Sequence, residues 1–76
     1  MNRRTIDTII ESLENDLKET YIDLMNGRNY RAYFMEVLQA KYELMRYANN
    51  NFNCNFDVDG AIKRDKERYE EIFLWK

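Results

Sequence analysis

Carboxylates are the most abundant reactive side chains of this 76-residue sequence, with 14 Asp and Glu against 12 Lys and Arg and a net charge of −2. Paired carboxylates do acid–base chemistry only when a pocket perturbs them, and a chain this short has little room for one. Histidine is absent, so neither a Ser-His nor a Cys-His nucleophile pair can form. Ser12 is the only serine, and Gly27 and Gly60 are the only glycines, so there is no glycine-rich loop to cradle a phosphate. These absences argue against an enzyme and against a cofactor.

One run has the look of a cation loop. Asn55, Asp57, Asp59, Gly60 and Ile62 match the first eight positions of an EF-hand loop in oxygen ligands, glycine and apolar residue. The pattern then fails. Lys63 occupies a later ligand position, and Lys66 stands where the bidentate glutamate belongs. A capped turn is the expected reading, with no metal.

Three further groups can recognise a partner. Lys63, Arg64, Lys66 and Arg68 could touch phosphates, but Asp65, Glu67, Glu70 and Glu71 lie among them and cancel much of the field. Nucleic-acid binding by this cluster is therefore the alternative expectation rather than the leading one. Glu14, Asp16, Glu19 and Asp23 form an acidic series that could imitate a phosphate row, although acidic solvent faces are ordinary. Lys41 lies among apolar neighbours, where an ammonium group must either snorkel out or meet an acid. The sharper form of that idea pairs it with an acid across a subunit boundary.

These residues need elements to hold them, and the sequence supplies three. Ile6, Ile10, Leu13, Leu17, Tyr21 and Leu24 recur at steps of three and four, which predicts a helix over about 5–25 with Thr5 as its cap. Asn26-Gly27 closes it, and Asn29 is placed to cap a second helix over about 29–48. The short loop makes the two an antiparallel hairpin. On the second helix, Tyr33, Val37, Ala40, Leu44 and Tyr47 make one apolar flank, and Tyr30, Phe34, Leu38, Met45 and Ala48 the other. So wide an arc must lie between two neighbours, or between one neighbour and another chain.

Asparagines at 49, 50, 51, 53 and 55 end that helix. Phe52 and Phe56 should pin the following loop to the hairpin. Asp57 or Asp59 then caps a third helix over about 58–74, with Ala61, Ile62, Tyr69, Ile72 and Phe73 on its stripe and Asp65 intruding upon it.

The expectation is one all-α domain, 1–76: a helical hairpin plus a third helix, self-associating as a homodimer. So small a chain buries a low fraction of its surface, and its single Cys54 cannot form an intrachain disulfide. The expected function is a non-enzymatic protein–protein interaction module, a small inhibitor or regulator of a larger protein encoded by a phage or mobile element. Its interface is expected at Met35, Lys41, Tyr42, Met45, Leu74 and Trp75, since Tyr, Trp and Met are enriched at interfaces. Lacking a signal-peptide pattern and any long apolar run, the chain is expected to be cytoplasmic with no membrane contact.

Overall fold

The computed structural model describes residues 2–28 and 30–74, Leu74 by its backbone only. Four helices follow one another: α1 (Arg3–Met25), α2 (Arg31–Asn51), α3 (Val58–Arg68) and α4 (Glu70–Leu74). The expected all-α hairpin with a third helical segment is what forms, and no strand occurs among the described residues. At about 1.5 Å per residue α1 is about 35 Å long, which accounts for most of the 40 Å longest dimension.

Helix α1 begins earlier than Thr5 because Asn2 caps it. The Asn2 side chain accepts from the Thr5 N–H at 2.9 Å, so Thr5 lies within the first turn. At the other end the Asn26-Gly27 expectation holds. Gly27 has φ +90°, a conformation that costs glycine little. Its N–H donates to the Leu24 carbonyl at 3.1 Å, and the Arg28 N–H donates to the Asp23 carbonyl at 3.0 Å. That pair of bonds is the Schellman closure. The cap expected at Asn29 lies outside the described residues; α2 follows Tyr30 as its N-cap, without a side-chain cap bond.

Helix α2 continues past Ala48 to Asn51. Asparagine is a poor interior helix residue, but two of the three are engaged here. Asn51 Nδ2 donates to the Tyr47 carbonyl at 3.0 Å. Asn49 receives the Phe56 N–H at 2.8 Å and donates to the Phe56 carbonyl at 3.0 Å, clasping both backbone groups of one residue. The chain reverses at Asn53, whose φ is 54°. Phe52 and Phe56 pack on a small cluster of Ile6, Ala48 and Cys54, so the loop is pinned as expected. Replacing Asn49 with alanine would strand both Phe56 groups and is expected to cost about 1–3 kcal/mol in denaturant unfolding; an unchanged midpoint would show the clasp to be dispensable.

Asp57 caps α3, accepting from the Gly60 N–H at 3.0 Å. The expected single third helix is broken at Tyr69, where φ is −114° and ψ 34°. Tyr69 is buried with its ring 5.2 Å from Tyr21 and 5.0 Å from Phe34. The break lets α4 bury Ile72 completely against the hairpin. The main core therefore joins α1 (Leu17, Leu24), α2 (Phe34, Val37, Leu38, Met45), α3 (Ala61) and α4 (Ile72).

Candidate functional site

Two features of α2 bear on function: a charged centre enclosed by the helices and an aromatic face left outside them. The first is built from residues of α1, α2 and α3. Lys41 is 4% exposed and Asp65 3% exposed, so each charge would be costly alone. Lys41 Nζ lies 2.9 Å from Asp65 Oδ2 and 3.4 Å from Glu14 Oε1. The Tyr42 hydroxyl donates to the same Asp65 oxygen at 2.8 Å. Burial, and then this bond to Asp65, raise the Tyr42 hydroxyl far above the ordinary tyrosine value of 10.0. Its neutral form belongs to the fold, so the stabilisation is full below about pH 10 and is lost as pH rises beyond that. Tyr42→Phe is expected to lose about 1.5–3 kcal/mol at neutral pH and to show a shallower alkaline decline than the native chain, measured by unfolding between neutral pH and strong alkali. Identical alkaline slopes would contradict this.

This geometry corrects the expected interface. Lys41 meets acids of its own chain, not one across a subunit boundary. Tyr42 and Met45 are buried beside it, 8% and 5% exposed. The physical reason is Asp65: the acid that intrudes on the stripe of α3 bonds Lys41 and Tyr42 and so draws that helix over this flank of α2. Met35 is half-buried beside a groove of about 270 Å³ that Ile62 and Phe73 also line. The side chains of Leu74 and Trp75 lie outside the described residues.

The acidic series of α1 also divides. Glu14 turns towards Lys41. Asp16, Glu19 and Asp23 instead line an open cleft of about 370 Å³ with Thr20, Tyr30 and Tyr33. There the Tyr33 hydroxyl donates to the Asp16 carboxylate, which raises the hydroxyl above its ordinary value. The basic cluster of α3 is likewise split. Lys63 and Lys66 border a groove with Asp59, Glu67, Glu70 and Phe73. Arg64 and Arg68 border a different cavity, of about 260 Å³, with Glu14 and Asp65. All four bases are exposed, but they do not make one basic stripe. Asp57, one of the oxygen ligands in the cation-loop pattern, is engaged as the cap of α3. Among the described residues, no group of three or more Asp, Glu, Cys or His is placed to hold a metal ion, and no helix is long and apolar enough to cross a membrane.

The second feature belongs to one of the two apolar flanks that the sequence predicts for α2. With α3 on the Tyr42 side, the opposite flank of α2 is only partly covered: the Tyr33 hydroxyl meets Asp16 of α1, and the Tyr47 ring lies edge-on to Phe52 with centroids 5.6 Å apart. Tyr33 is 47% exposed and Tyr47 53% exposed, and Ala40 between them is exposed too. Tyr30, at the hairpin end, is 43% exposed. The signal was present in the seven-residue spacing of Tyr33, Ala40 and Tyr47, but knowing which flank stays open required knowing where α3 docks. No protein-family model, no curated protein and no solved structure matches the chain.

Proposed function

We propose that this chain is a non-enzymatic protein-interaction module, a small regulator of a larger protein, which makes contact through the Tyr33–Ala40–Tyr47 face of α2. The observation that carries this reading is that face itself: half-exposed tyrosines in a line on a helix whose other flank is buried at Phe34, Leu38, Met45 and Ala48. Tyrosine is favoured at interfaces because its ring supplies contact area at low entropic cost while its hydroxyl remains satisfied. The non-enzymatic part is supported by the state of the enclosed ionisable groups. Asp65 already serves Lys41 and Tyr42, which leaves it poorly placed to exchange protons with a substrate.

The test compares the native chain with Ala40→Arg, a change at an exposed position that puts bulk and charge in the middle of the face. Each is immobilised and challenged with lysate, and the native mass of each is measured by light scattering. The native chain is expected to retain a protein, or to self-associate, where the variant does not. Equal masses and equal retention, with helicity intact by circular dichroism, would overturn the reading.

A further inference from the structure

The borders of the open face say what kind of partner it fits. At 100° per residue, Tyr33, Ala40 and Tyr47 stand nearly in line, with half-buried Leu44 beside them. On one side, Glu36 and Glu43 are the next residues around α2, and both are exposed. On the other side lie the α1 carboxylates of Asp16, Glu19 and Asp23, in the cleft that Tyr33 shares. Across the roughly 120° of α2 from Glu43 to Val37 there is no lysine or arginine. The face is thus an apolar stripe with Glu36 and Glu43 along one edge and the α1 carboxylates beside its Tyr33 end.

We infer that this stripe is a docking site for a basic amphipathic helix of another protein, an inference that rests on the interaction-module reading. Apolar side chains of the incoming helix seat along Tyr33, Ala40, Leu44 and Tyr47. Its flanking lysines and arginines reach Glu36 and Glu43 and the α1 carboxylates beside Tyr33, and those passing over the tyrosine rings gain cation–π attraction. The same charges disfavour a second copy of this chain. Pairing two copies face to face and antiparallel sets the Glu36 and Glu43 edge of one against that of the other, carboxylate against carboxylate.

The test uses a fluorescein-labelled helical peptide made of leucine and lysine, with leucine along one stripe, titrated against the full chain by anisotropy. Binding is expected at low salt and should weaken as salt rises. Ala40→Arg and the pair Glu36→Lys with Glu43→Lys are each expected to weaken it at least about tenfold. Lys63→Glu, on α3, is expected to leave it within about twofold, because its charge lies off the face. If Lys63→Glu strengthens binding as much as the Glu36 and Glu43 reversals weaken it, only net charge is being read and the docking site is overturned. If light scattering finds a native dimer that Ala40→Arg dissociates, the occupant is a second copy: the basic-helix inference falls while the interaction reading stands. If the face variants alter neither peptide binding nor mass, and lysate retention is also unchanged, both fall.

Discussion

Asp65→Asn is expected to destabilise the fold by about 3–5 kcal/mol, because removing one partner of a buried ion pair leaves the other charge uncompensated. Lys41, 4% exposed, would keep only Glu14 at 3.4 Å, and the Tyr42 hydroxyl would lose the carboxylate it donates to. A 76-residue domain holds about 4–11 kcal/mol in total, so much of the population should unfold under mild denaturant. Glu14→Gln is the informative contrast. Its side chain is 39% exposed, and a solvent-screened partner is expected to contribute less than about 1 kcal/mol. A second contrast removes the charges together. Lys41→Met combined with Asp65→Leu and Tyr42→Phe leaves no orphaned polar group, and similar replacements elsewhere are often neutral or stabilising. Urea midpoints for the three proteins decide the matter. If Asp65→Asn unfolds at the native midpoint, the ion pair is not what holds α3 against α2.

Phe34→Ala is the second large effect, at about 3–5 kcal/mol. Phe34 is 0% exposed, and its ring meets Tyr69 edge-on, with centroids 5.0 Å apart and planes at 80°. Truncation removes the transfer energy of the ring, opens a cavity, and deprives Tyr69 of an aromatic contact that is itself worth about 0.5–1.5 kcal/mol. Phe34→Leu retains most of the volume and is expected to cost clearly less. The loss should also be uneven along the chain. Tyr69 is the hinge between α3 and α4, and Ile72 is buried through it, so amide exchange should accelerate most in residues 69–73. Uniform acceleration would mean that Phe34 stabilises the hairpin alone and not the junction.

These two predictions locate what was legible before any tertiary structure. Phe34 was readable as core, because its neighbours at steps of four and eleven are Leu38 and Met45. Lys41 and Asp65 each stood out as a charge on an apolar stripe. Opposite charges that violate two such stripes can satisfy one another, and that pairing could have been inferred. It was missed because periodicity treats helices one at a time and gives no distance between residues 24 positions apart.

The all-α class and the hairpin were settled by the sequence alone; the break of the third helix at Tyr69 was not. Steps of three and four, the Asn26-Gly27 closure and the asparagine-rich turn are local signals, and local backbone energetics act within a few residues. The Gly27 closure and the pinning by Phe52 and Phe56 follow from such signals. Which flank of α2 would be covered was decided only by the tertiary structure. Both flanks are apolar enough to pack, and burial energy has no direction. The choice falls to Asp65, whose bonds to Lys41 and Tyr42 require short distances and a fixed geometry. Seating α3 there leaves Tyr33, Ala40 and Tyr47 on the outside, where the proposed contact surface lies.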